Sequence, residues 1–337
     1  MVGPLLSLVV LLLSMISYVL CYTIDWIIVQ RGSYMEVIEI KSAKGLLEVI
    51  SLDNKKLNGF CIKSIFRGHA DSNWLAIPSA FREEGDLLSD RELAPIGVRT
   101  NREQIEAEFY TLSLFIEELN LNGFHVPNED VLRLDTNTTQ FFNFLNQIGR
   151  GESVWPPKNY HTLISIAQHY GMPTRFLDFT YDPYVAIYFA AQGVLKGCDS
   201  EYMSIYAVDI HSANIRDYDF EMNYERDGLY EHRPENRIYQ LVKSPSSFNY
   251  NLKSQRGLFL AAVEKSFYSN DYFDAYSLED YLQADKNSKG VYKYIIESKH
   301  AEEIMELLHN RFYSASTLFP SIEGCVKGLY EKQGLVK

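Results

Sequence analysis

The chain has 337 residues, enough for one large domain, or one domain with a helical insertion, plus a terminal segment. Its composition is globular, with 24 Tyr and 19 Phe, and its formal charge of −12 repels phosphate backbones, so it carries no strong nucleic-acid signature. The four cysteines, Cys21, Cys61, Cys198 and Cys325, form no C-x-x-C pair, which argues against a zinc site and a disulfide scaffold and leaves no metal expected.

Residues 1–34 stand apart as an apolar N-terminal segment. Up to Asp25 there is no charged side chain, and residues 5–20 are dense in Leu, Val, Ile and Met. A run of this length can form a transmembrane helix, which needs roughly 20 residues. Basic residues follow it, Arg31, Lys41 and Lys44, which would leave a membrane-anchored domain on the cytoplasmic side. Two alternatives stand beside an anchor. A signal peptide would want a basic start and a small-x-small cleavage site, and neither is clear here. An unstructured leader ahead of a start at Met35 would make the protein cytoplasmic.

From Met35 a short strand leads into a helix over 42–52, with Ser42 as its N-cap. Residues 60–67 form an apolar strand pattern ending at Gly68, 75–78 a second extended piece, and 82–90 a loop. Ile105, Phe109, Leu112, Ile116 and Leu119 recur at helical spacing, with Glu103, Glu106 and Glu108 on other faces. That helix, stopped by Asn122-Gly123, and a second over 138–148 make a helical insertion at about 101–150. Further on come a helix over 162–169 and a strand over 176–179. Asp182 then caps a helix that Pro183 opens. Strands are expected at 204–208, 237–242, 257–263 and 292–296, a polar loop or insertion at 211–235, and a helix at 301–308. Strands and helices without strict alternation predict an α+β domain over 35–337 with a mixed sheet core, behind an N-terminal apolar helix.

Three polar clusters interrupt the apolar elements. The first is Phe66-Arg67-Gly68-His69. An Arg at a strand end pairs with a carboxylate or offers its fork to a phosphate, and Gly68 allows a sharp turn or close approach of a ligand. The second runs from Gln168 to Thr180 and sets His169, Arg175, Asp178 and Thr180 around one strand and two turns. The third joins Arg237-Ile238-Tyr239-Gln240 to Gln255-Arg256-Gly257. Taken singly, each fits a buried ion pair or a satisfied histidine as well as a ligand site. No P-loop, G-x-S-x-G or G-x-G-x-x-G is present.

The order of these clusters resembles the FRG domain family, named for Phe-Arg-Gly, here Phe66-Arg67-Gly68. The resemblance continues through Trp74 to Arg82, the block from Gln168 to Thr180, Pro183 to Ala190, Gln255 to Phe259 and Leu318 to Gly324, covering about 42–330. More distantly the arrangement resembles that of ADP-ribosyltransferases. That resemblance implies NAD as a substrate, with Arg67 on the pyrophosphate or ribose, Asp178 to Thr180 at the nicotinamide side and Gln255 on a ribose hydroxyl. The usual late residue is Glu, and Gln255 cannot act as a base. Arg67, Asp178 and Gln255 are thus the candidate catalytic residues, and Arg67, Gly68, His169, Arg175 and Thr180 the candidate nucleotide contacts. The expected function is a nucleotide-directed, ADP-ribosyltransferase-like enzyme acting on a macromolecular target, as a toxin or defence effector does. The alternative is a non-catalytic module that binds a nucleotide or a protein.

Overall fold

The computed structural model describes residues 26–31, 34–51, 53–54, 57, 64–83, 87–88, 92–128, 138–217, 237–244, 250–265, 271–285 and 288–334. In chain order the elements are β1 (Trp26–Arg31), β2 (Met35–Ile40), α1 (Ala43–Val49), β3 (Ser64–His69), α2 (Asn101–Leu121), α3 (Thr138–Gly149) and α4 (His161–His169). They continue with β4 (Phe176–Thr180), α5 (Pro183–Leu195), β5 (Tyr202–Asp209), β6 (Arg216–Asp217), β7 (Arg237–Val242) and α6 (Tyr250–Ser254). The last are β8 (Gly257–Glu264), α7 (Leu278–Ala284), β9 (Val291–Glu297), α8 (Ala301–His309), α9 (Ala315–Leu318) and α10 (Ile322–Lys332).

The strands form one mixed sheet in the order β1-β2-β9-β5-β3-β4-β8-β7-β6. Strand β2 is parallel to β9 and β6 to β7, and the other neighbours are antiparallel. This is the α+β class expected. Strand β1 pairs with β2, so residues 26–31 of the apolar N-terminal segment join the sheet. The part of that segment expected to form the anchor, residues 5–24, lies outside the described residues. Among the described residues no helix is long and apolar enough to cross a membrane.

Local chemistry accounts for the helix starts. The Ser42 hydroxyl accepts from Gly45 N at 3.1 Å and begins α1. Thr100 and Glu103 form a capping box on α2, and Gly123, at φ +71°, follows its last turn. Asp182 accepts from Tyr184 N to start α5, with Pro183 at its first position. The extended piece expected at 75–78 is not a strand. Leu75 is half exposed, and the segment runs into a 3₁₀ turn, Ser79–Phe81, whose Ala80 N donates to Thr174 O.

The sheet separates two apolar clusters, and β3 shows the alternation directly. Ile65 packs with Leu112, Trp155 and Leu260 on one face, and Phe66 packs with Ile187, Ile205 and Ile304 on the other. The helices at 101–150 share the first cluster through Ile105, Leu112, Ile116, Phe141, Leu145 and Ile148, so they build the core beside the sheet. Helix α5 lies so close on β3 that a Cβ on Gly68 would sit 2.0 Å from the Ala186 carbonyl oxygen.

One junction in the sheet is thin. Strand β3 has six register pairs with β5, and β4 has five with β8. Between β3 and β4 there is a single pair, Phe66 with Thr180. The sheet splits there.

Candidate functional site

A cavity of about 780 Å³ opens where β3 and β4 part. Phe66, Arg67 and Gly68 face it from β3, and Asp178, Phe179 and Thr180 from β4. Helix α5 adds Val185, Ala186 and Phe189, the end of α4 adds His169 with neighbouring Tyr170, and Tyr250 and Gln255 come from around α6. The far wall is Phe319 and Ser321 with Glu323 and Lys327 of α10. Of the site residues expected from the sequence, Arg67, Gly68, His169, Asp178, Thr180 and Gln255 therefore meet at one cavity.

Arg67 is held by two acceptors, neither of them a carboxylate. Its Nε donates to His69 Nε2 at 2.9 Å, and its Nη1 donates to the Asp178 carbonyl at 2.7 Å across the split. His69 reaches Arg67 because residues two apart on a strand share a face. The other imidazole nitrogen, Nδ1, donates to Trp74 O at 3.2 Å. Burial, and then the Arg67 charge, push His69 down to about 2, so its ring is neutral and Nε2 offers a lone pair. Burial also lowers Arg67, with the Asp178 charge opposing. A guanidinium remains charged regardless. Nη2 has no hydrogen-bond partner among the described residues.

Asp178 is the exposed centre of β4, between buried Leu177 and Phe179. Its Oδ2 accepts from Gln168 Nε2 at 2.7 Å, and Gln168 Oε1 accepts from the Thr174 hydroxyl. The exposed His169 ring stands edge-on to Tyr170 at 4.8 Å. Burial lowers its pKa, and the Asp178 charge opposes that.

Thr180 and Gln255 line the cavity, but part of their polar capacity is spent on the protein. The Thr180 hydroxyl donates to Gln255 O at 2.6 Å and accepts from Asp182 N at 2.9 Å. Gln255 Nε2 donates to Leu318 O at 3.2 Å, tying the β8 entry to α9. Gly68 stays within its strand, and its missing side chain serves the approach of α5.

Arg175, expected as a nucleotide contact, is a correction. It is 1% exposed and lies in the core. Its Nε and Nη2 grip the two Glu108 oxygens at 2.6 and 2.8 Å, and Nη1 donates to Ala262 O at 2.9 Å. Glu108 comes from α2, from a face read in the sequence as lying apart from the apolar stripe. It is buried, and it also accepts from Trp155 Nε1 at 2.8 Å. The 237–240 cluster is core as well. Arg237 donates to Glu264 and Asn101, both at 2.8 Å, and Gln240 is fully buried.

Several side chains in the cavity lining, or bonded to it from behind, were not read from the sequence as site residues. Gln168 and His69 stood inside the quoted motifs without a role, and each touches a candidate residue directly. Glu323 also stood inside a quoted block, Leu318 to Gly324, without a role, and its i+4 partner Lys327, 2.7 Å away, had no signal. Among the described residues no group of three His, Cys, Asp or Glu could hold a metal ion.

The arrangement offers a guanidinium with its Nη2 unengaged among the described residues, an acceptor carboxylate beside it and aromatic surface from Phe189, Phe319, Tyr170 and Tyr250. A family model for the FRG domain matches residues 63–197, so the chain carries an FRG domain there. The matched segment contains β3, α4, β4 and α5, hence Arg67, His169 and Asp178. It ends short of the expected family positions at 255–259 and 318–324. Neither the curated proteins nor the solved structures gave a match.

Proposed function

We propose that the cleft between β3 and β4 binds a nucleotide and that the domain is an ADP-ribosyltransferase-like enzyme using NAD. The observation that carries this reading is the juxtaposition of Arg67 and Asp178. A fork of donors suited to phosphate sits beside a carboxylate suited to ribose hydroxyls, on the two sides of one split sheet. In the reaction the bond from ribose C1′ to the nicotinamide nitrogen breaks, and nicotinamide leaves with the electron pair. A nucleophile of the target then bonds to C1′ and gives up its proton. Arg67 would hold the pyrophosphate. Asp178 would hold the ribose and offset the positive charge developing at C1′. Gln255 Oε1 would accept from a hydroxyl. A macromolecular target would enter past Tyr170 and Tyr250, which are 73% and 71% exposed.

The non-catalytic alternative draws on a specific observation too. Thr180 and the Gln255 amide are engaged with main-chain groups, and no Glu stands at position 255. Nicotinamide release by the full chain, measured with ADP-ribose binding, separates the two. Release that Asp178→Asn abolishes supports the enzyme. Binding without release leaves the module, and neither binding nor release removes the nucleotide reading. The uncharged residues 1–24 of the N-terminal segment would hold this domain at the cytoplasmic face of a membrane. Recovery of the full chain in the soluble fraction after cell fractionation would refute that attachment.

A further inference from the structure

Asp178 is exposed and central in a short strand, a position where a carboxylate ordinarily turns freely toward water. Here a chain of hydrogen bonds fixes it. The 3₁₀ turn at Ser79–Phe81 grips Thr174 from both sides, with Thr174 N donating to Ser79 Oγ at 2.9 Å and Ala80 N donating to Thr174 O at 3.0 Å. The Thr174 hydroxyl accepts from Phe176 N at 3.2 Å, so its own proton is free to go to Gln168 Oε1. An amide whose oxygen faces that donor must turn its NH₂ the other way. It meets Asp178 Oδ2 there.

We propose that Gln168 is a positioning residue. Its amide, oriented by Thr174, holds the Asp178 carboxylate with Oδ1 available to the cleft as an acceptor of ligand hydroxyls. The inference rests on the nucleotide reading of the cleft and adds a substrate class to it: a ligand with a donor group, such as a ribose hydroxyl, next to its phosphate. Oδ1 has no hydrogen-bond partner among the described residues. The charged group that faces Asp178 is Arg67 from β3, and the titratable one is His169 from the end of α4. Gln168 is an uncharged donor, and its hydrogen bond is what aims the Asp178 carboxylate.

The test uses the full chain with two probes, ADP-ribose and inorganic pyrophosphate. Pyrophosphate meets Arg67 without needing Asp178. Gln168→Met keeps the size and removes the amide. It should weaken ADP-ribose roughly tenfold, the scale of one hydrogen bond to a charged group, and leave pyrophosphate unchanged. Thr174→Val removes the donor that orients the amide and should weaken ADP-ribose by a smaller factor, about threefold. Gln168→Glu sets two carboxylates together. Its ADP-ribose binding should fall at pH 8 and recover on acidification, as the pair takes up a shared proton. Equal weakening of both probes by Gln168→Met would mean a merely structural role, and unchanged ADP-ribose affinity would overturn the proposal outright. Should the wild type bind neither probe, the nucleotide reading fails by itself. The positioning role is then judged on the ligand-free chain, from the NMR signal of the Gln168 side-chain amide. Asp178→Ala should move that signal, and an unmoved signal overturns the proposal.

Discussion

Arg67 and Arg175 lie on either side of the same split in the sheet, and their surroundings are opposite. Arg175 stands just before β4, sealed in the core, with two of its nitrogens on the Glu108 carboxylate. Arg67 stands in β3, half-buried, with its hydrogen bonds on a neutral imidazole and a carbonyl. A buried Arg with its own carboxylate is already neutralised and serves the fold. An Arg given only neutral acceptors keeps its charge for something else, and here it does so at the edge of a cavity.

Stability measurements should separate the two most widely. Arg175→Ala strands the buried Glu108 carboxylate and should cost about 3–5 kcal/mol in chemical denaturation. Arg67→Ala strands no hydrogen-bonded carboxylate and should cost only about 1 kcal/mol while removing binding of pyrophosphate. A larger cost at Arg67 than at Arg175 would break the comparison. Arg67→Lys sharpens it, since the charge is kept and the fork lost. Its melting temperature should stay near wild type while ADP-ribose binding falls.

The next effect in size is that of Gly68→Ala. The added Cβ meets backbone, the Ala186 carbonyl, so β3 and α5 must separate, at a cost of about 1–3 kcal/mol or more. If the variant melts like wild type, the helix is not seated on the strand as described.

Acid sharpens the contrast from the side of His69. Its folded value, about 2, lies below the ordinary histidine value of 6.5, so between those limits the unfolded chain binds a proton that the native state refuses. Stability from this group is therefore complete above pH 6.5 and falls as the pH drops, by about 1.4 kcal/mol per pH unit. His69→Gln should show a shallower decline between pH 6.5 and 5, measured by urea titration at each pH. Parallel declines in the two proteins would mean that His69 is not neutral and buried beside Arg67.

The smallest effect belongs to the exposed wall. Lys327→Ala breaks an exposed i,i+4 pair with Glu323 and should change stability by no more than about 0.5 kcal/mol. A larger loss would show that α10 depends on that pair.

Much of the fold was legible because it rests on local rules. Periodicity located α2 and α3, Asp182-Pro183 located the start of α5, and the strand at 237–242 appears with those bounds. The site was legible as far as its residues lie in motif blocks, which is why Arg67, His169 and Asp178 were found. Arg175 was misread because its partner lies on α2, 67 positions earlier, where Glu108 was one of several Glu residues off the apolar stripe. Helices α7 and α10 were not foreseen. Glu279 of α7 accepts from Ala76 N and Tyr206 OH, and Glu331 of α10 accepts from Tyr188 OH, so long-range contacts anchor these two helices. No local pattern announces such contacts.

The single pair between β3 and β4 gives Arg67 a mechanical standing as well as a chemical one. Phe66 and Thr180 are the only residues of these two strands in register, and the Arg67 side chain adds a stitch across the gap to the Asp178 carbonyl. In the main chain the two half-sheets are joined by that one pair, and beyond it and the stitch they are held by the apolar cluster that spans the split. A ligand that draws Arg67 away from Asp178 O cuts the stitch. The width of the crevice and the occupancy of the arginine are then coupled, as a clasp is coupled to the bag it closes.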